Sequence, residues 1–155
     1  MPDVGDLAPG FNLPDQNGAE VALSSFQGKT VVLFFYPKAN TSGCTTEACA
    51  FRDAKSDFDA AEGVLLGMSP DPVKAQATFA VKYGLPMSLL ADADHAVAEA
   101  YGVWVEKSMY GRKYMGIERT TFVIGPDGRI KHAFCKVKPQ GHADEVLEYL
   151  RGVGA

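Results

Sequence analysis

The chemistry open to this chain starts with two thiols: Cys44 ends the stretch PKANTSGC, and Cys49 ends CTTEAC five residues later. An apolar run, Val31 to Tyr36, precedes them, and the residues from Cys44 onward read as a helix. Unpaired backbone N–H groups at a helix N-terminus favour an anion, so a sulfur so placed is suited to react as thiolate. The second thiol, one and a half turns on, gives the first a partner. A redox-active pair is one reading of this segment. Two cysteines that merely share a helix is the other, and these residues alone leave both open.

The neighbours of Cys44 have matching properties. Pro37 has no N–H to donate and fixes the exit from the apolar run while shielding the sulfur. Thr41 carries a hydroxyl that both donates and accepts, so it suits a thiolate and an oxygen substrate at once. Gly43 allows close approach to the backbone, and the N–H groups of Gly43 and Cys44 fall in the first helical turn, where they lack intrahelical partners. Alternatively, Pro, Thr and Gly only punctuate a strand-to-helix loop. Lowering a thiol pKa from about 8.5 to ~6 yields roughly thirtyfold more thiolate at pH 7. With a Brønsted slope of about 0.45, reduced nucleophilicity takes back roughly tenfold of that gain. Fast attack on a peroxide therefore needs donors that stabilise the transition state itself.

The elements that must hold these groups alternate. Phe11 to Leu13 and Val21 to Leu23, around Asn17-Gly18, predict a small N-terminal hairpin. Val31 to Tyr36 predicts a strand, and Thr45 to Glu62 a helix with Ala48, Phe51, Ala54 and Phe58 at helical spacing and Gly63 as its stop. Val64 to Met68 reads as a strand, Pro72 to Tyr83 as a helix ending before Gly84, Ser88 to Ala91 as a strand and His95 to Tyr101 as a short helix. Thr120 to Ile124 and Arg129 to Phe134 flank GPDG, which predicts an antiparallel hairpin, and Ala143 to Leu150 predicts a last helix. The fold class is α/β, a mixed sheet covered by helices, and the pattern leaves the strand order open.

Composition narrows the class further. At 155 residues and 46% hydrophobic content, one domain over 1–155 is expected, burying roughly 70% of its unfolded surface. Three cysteines do not make a secreted disulfide framework. A net charge of −4, with basic residues scattered, speaks against nucleic-acid binding. MPDVGDLAPG lacks the basic and apolar regions of a leader, and no apolar run reaches membrane-span length, so a cytoplasmic protein off the membrane is expected. His95, His132 and His142 show no ligand spacing, so neither a metal nor another cofactor is expected.

FFYPKANTSGCTTEAC resembles the active-site segment of the peroxiredoxins, thiol peroxidases on a thioredoxin-like fold, and within them the Q-type branch, the bacterioferritin comigratory protein group. The likeness extends to VGDLAPGFNLPDQNG, to YGVWVEKSMYGRKYMGIERTTFVIGPDG and to GHADEVLEYL, nearly the whole chain. Pro37, Thr41 and Cys44 match the family's Pro-x-x-x-Thr-x-x-Cys motif, and Arg119 matches its distant active-site arginine. The resemblance implies that Cys44 attacks a hydroperoxide to give a sulfenic acid and that Cys49 resolves it as an intramolecular disulfide. It also implies recycling by thioredoxin or a similar dithiol protein, a role in antioxidant defence, and a monomer. Ala39 and Ser42 stand where the branch usually has Asp and Pro, and Gly10 where Asp is common, which predicts a less rigid loop before Cys44.

Other residues have two readings each. Arg119 either serves the sulfur and a peroxide oxygen with its planar cation or pairs with Glu118 at the surface. Glu47, in the first helical turn, either helps hold Arg119 or is simply solvated. Tyr101, Trp104, Met109, Tyr110 and Tyr114 either form an apolar collar around the site or pack as core and rim. Cys135, next to a predicted strand, is expected to be structural and partly buried. A thioredoxin-type disulfide oxidoreductase would carry Cys-x-x-Cys rather than four intervening residues. A redox sensor or binding module that passes on its disulfide state is a further alternative.

Overall fold

The computed structural model describes residues 1–153. A short hairpin, β1 (Asn12–Pro14) and β2 (Glu20–Ala22), leads into a 3-10 turn at Leu23–Phe26 and then into β3 (Thr30–Phe35). Next come α1 (Ser42–Asp53), α2 (Lys55–Ala60), β4 (Gly63–Ser69), α3 (Val73–Tyr83), β5 (Ser88–Ala91) and α4 (Ala96–Ala100). A second hairpin, β6 (Trp104–Met109) and β7 (Arg112–Ile117), precedes β8 (Thr120–Ile124), β9 (Ile130–Phe134) and α5 (His142–Val153). The five-stranded sheet runs β5-β4-β3-β8-β9, with β3 parallel to β4 and antiparallel to β8.

The central strand explains the two cores. Successive side chains of a strand point to opposite faces, so Val32, Phe34 and Tyr36 meet α1, α3 and α5 on one side while Val31, Leu33 and Phe35 pack with Phe122, Ala98 and Tyr101 on the other. A strand covered on both faces reads as an unbroken apolar run. Phe51 of α1 stacks on Phe34, ring centroids 4.6 Å apart, which fixes that helix against the sheet.

Four expectations need correction. The helix expected over 45–62 starts earlier and breaks at Ala54, whose ψ of 5° ends α1 before α2 begins. Phe58 nonetheless returns to the same core, and for that reason the apolar spacing ran through the break. The stop is Glu62, with a left-handed φ of 60°, and Gly63 already belongs to β4. The expected strand from Arg129 begins at Ile130. Cys135 is exposed rather than partly buried, because β9 ends one residue before it. Among the described residues, no helix is long and apolar enough to cross a membrane.

Candidate active site

The site forms where β3 hands the chain to α1. Pro37 is half-buried just beyond the strand, Asn40 adopts a left-handed φ of 63°, and Thr41 is the helix N-cap. Thr41 keeps extended dihedrals, and its carbonyl accepts from the Thr45 N–H at 2.8 Å to close the first turn. Its hydroxyl donates to the Lys38 carbonyl at 2.8 Å and lies exposed. In this arrangement Thr41 braces the loop. Cys44 is the third residue of the helix and is 1% exposed. Its Sγ accepts from Arg119 Nη2 at 3.3 Å.

Helical spacing puts Glu47 on the face of Cys44, one turn on. Arg119 Nη1 donates to Glu47 Oε1 at 2.9 Å, so one guanidinium spans thiol and carboxyl. Glu47 is therefore the partner of Arg119, in place of its neighbour Glu118. The other Glu47 oxygen, Oε2, is buried without a hydrogen-bond partner. Burial pushes the Glu47 carboxyl up to about 7, against the opposing pull of Arg119. Burial works against the Arg119 cation, but the charges of Glu47 and Cys44 outweigh it and raise its pKa above the ordinary value.

Arg119 is delivered by topology. It sits between β7 and β8, and β8 pairs with β3, the strand that ends at the thiol loop. Its carbonyl accepts from the Val137 N–H at 2.9 Å, tying the segment after β9 over it. A Cβ placed on Gly43 would lie 3.2 Å from Arg119 Nη2 and 3.5 Å from Pro139 Cγ, so the glycine leaves room for the guanidinium. Cys49 lies in the same helix, half-buried and off the Cys44 face. The site thus joins a buried sulfur, a permanent planar cation and the free N–H groups of a helix start, an arrangement suited to attack on an oxygen whose bond is breaking.

The profile of the AhpC/TSA family matches residues 4–133. A putative peroxiredoxin bcp of Coxiella burnetii is 50% identical over 96% of this chain and 98% of its own length. The chain belongs to the AhpC/TSA family, in its Q-type peroxiredoxin branch. A cysteine variant of Xylella fastidiosa PrxQ superposes with a TM-score of 0.95 at 36% identity, covering 100% of this chain and 99% of that one. The Xanthomonas campestris bacterioferritin comigratory protein, whose structures concern its alkyl peroxide reduction activity, gives a TM-score of 0.89 at 39% identity over 94% and 92% of the two chains. As a peroxiredoxin this chain is a thiol peroxidase, an oxidoreductase on a thioredoxin-like fold. Peroxiredoxins as a class draw on hydroperoxides and thioredoxin-type reductants.

Several neighbours of this candidate site gave no sequence cue. Lys107, half-buried on β6, is held below its ordinary range by burial and by the Arg119 charge, with Cys44 and Glu118 opposing. His142 is buried at the start of α5, its Nε2 2.7 Å from Thr121 Oγ1 and its Nδ1 3.2 Å from Glu145 Oε1. Burial lowers its pKa, Glu145 opposes that, and the Arg119 charge adds to it. The contact with Thr121 joins α5 to β8 two residues from Arg119. Of the aromatic segment, Tyr101 is core at 0% exposure and Trp104 stacks on His95, whereas Met109, Tyr110 and Tyr114 are exposed.

Proposed function

We propose that Cys44 is the peroxidatic thiol of this peroxiredoxin and Cys49 its resolving thiol. The Cys44 thiolate attacks one peroxide oxygen; the S–O bond forms as the O–O bond breaks, and the departing oxygen takes a proton to leave as alcohol, or as water from hydrogen peroxide. The sulfenic acid then condenses with the Cys49 thiol, releasing water and forming the disulfide. Thioredoxin, through two thiols, returns both cysteines by exchange. Arg119 and the Gly43 and Cys44 N–H groups stabilise the charge that develops on oxygen, and Pro37 and Thr41 shape the loop that presents the sulfur. The substrates are hydrogen peroxide and organic hydroperoxides. The chain acts as a single-domain monomer in the cytoplasm, in antioxidant defence.

The observation that supports this most is Arg119 Nη2 at 3.3 Å from Cys44 Sγ, with Nη1 anchored on Glu47. The cysteine spacing adds a mechanical requirement. Five residues apart in a regular helix, Cα atoms are separated by about 8.6 Å, beyond the ~7 Å limit for a disulfide. The first turns of α1 must therefore open between attack and resolution. The test is hydroperoxide-dependent NADPH oxidation through thioredoxin and its reductase. Cys44→Ser abolishes it, whereas Cys49→Ser still forms a sulfenic acid that dimedone traps but does not turn over. Peroxide consumption by Cys44→Ser would overturn the assignment of the nucleophile.

A further inference from the structure

The loop that carries the thiol is tethered from one side by a closed polar network. Ala39 is buried with Tyr36 and Cys44 and has no polar side chain, yet its N–H donates to Asp71 Oδ2 at 2.7 Å. The same carboxylate oxygen accepts from Ser69 Oγ at 2.7 Å. Ser69 Oγ accepts from Gln76 Nε2 at 2.9 Å, and Gln76 Nε2 also donates to the Leu90 carbonyl at 2.9 Å. The circuit ends at Tyr36, whose hydroxyl donates to Gln76 Oε1. Burial keeps that phenol well above its ordinary range, so it stays a neutral donor.

Ser69, Gln76 and Leu90 belong to β4, α3 and β5, none of which contains a cysteine. The segment that carries Cys44 enters the network at two points, the Tyr36 hydroxyl and the Ala39 N–H, and only the second is bound by Asp71. One residue on, the Tyr83 hydroxyl of α3 donates to Asn40 Oδ1 at 3.1 Å, a second and exposed tether. Thr41 makes no side-chain cap bond to α1. The start of the helix is thus held through the preceding loop, and a charge-assisted bond of this kind is roughly twice as strong as a neutral one.

We propose that Asp71 is a positioning residue, a latch that holds the Cys44 loop in the arrangement that attacks peroxide and lets go when α1 opens for disulfide formation. This rests on the assignment of Cys44 and Cys49 above. The latch replaces the rigidity that Ala39 and Ser42 do not supply through their own side chains. It makes the partition between the two forms depend on a residue that touches neither thiol nor substrate.

The full-length protein is compared with Asp71→Ala and Asp71→Asn, measuring peroxide attack by competition and the yields of disulfide and sulfinic acid as peroxide rises. Asp71→Ala slows attack by about tenfold or more and shifts the yield towards disulfide, because a loosened loop resolves sooner. Asp71→Asn retains an acceptor for Ala39 and falls between Asp71→Ala and wild type. Attack that is unchanged or faster in Asp71→Ala overturns the latch. A loss of both rates in proportion to global stability in urea overturns it too. Amide exchange of Ala39 in the wild type needs no variant: protected when reduced and released in the disulfide form is the expected result, and equal protection refutes the latch. Cys44→Ser runs in parallel, since activity surviving there sinks the thiol assignment, whereas its loss beside unaltered Asp71→Ala rates sinks the latch alone.

Discussion

Replacing Glu47 by Gln tests how the site balances a buried carboxyl against its arginine. Glu47 is 1% exposed, and one of its oxygens has no partner. Burial raises its carboxyl from 4.5 to about 7 in the folded protein although Arg119 stands 2.9 Å away. Between those values the folded state holds a proton that the unfolded chain has released. Stability therefore falls as pH rises through this window, by about 1.4 kcal/mol per pH unit. The contribution is complete below pH 4.5, where both states are protonated, and is lost above the folded value. Its full size is about 3 kcal/mol, of which about 2.5 kcal/mol disappears between pH 5 and 8. Gln keeps the shape of the protonated acid and has no titration, so the comparison follows this one carboxyl. Urea unfolding of wild type and Glu47→Gln at a series of pH values should show the two matched at low pH and the wild type falling behind by about that amount as pH rises. A difference that stays flat, or grows in the wild type's favour as pH rises, would mean that the ion pair outweighs burial and that Glu47 is ionised throughout.

Two further substitutions probe the guanidinium. Arg119→Ala should cut the rate of peroxide attack by about a hundredfold or more, the usual cost of losing a donor aimed at developing charge. Thiolate absorbance measured in parallel separates this from ionisation, and a rate loss equal to the lost thiolate fraction would refute a transition-state role. Gly43→Ala places a methyl 3.2 Å from Arg119 Nη2 in a helical position without positive φ. It should leave stability equal or up to about 1 kcal/mol higher while slowing attack several-fold, and an unchanged rate would show that the guanidinium has room to move.

Much of this arrangement is legible in the sequence, and the reasons are physical. Val31 to Tyr36 announces a strand buried on both faces, and Cys44, Glu47, Ala48 and Phe51 share a helical face that is indeed buried. The hairpin of β6 and β7 left no such trace. Most of its side chains are exposed, and its tip places Tyr110 and Gly111 at φ 53° and 79° without an Asn-Gly or Asp-Gly pair to mark the turn. The break at Ala54 was hidden because Phe58 continues the apolar spacing past it. Contacts such as Arg119 with Glu47 and Asp71 with Ala39 join residues 72 and 32 positions apart, so only the strand order brings them together. Motif resemblance pointed to Arg119; nothing in the spacing pointed to Asp71 or to the buried His142.

The central claim is that one segment is folded to react and opened to be resolved. Treating the reduced protein with one equivalent of hydroperoxide and mapping the product by mass spectrometry tests it most directly. A Cys44–Cys49 disulfide within one chain is the predicted product. A bond from Cys44 to Cys135, a disulfide between two chains, or a sulfenic acid that persists beside an intact Cys49 would contradict it.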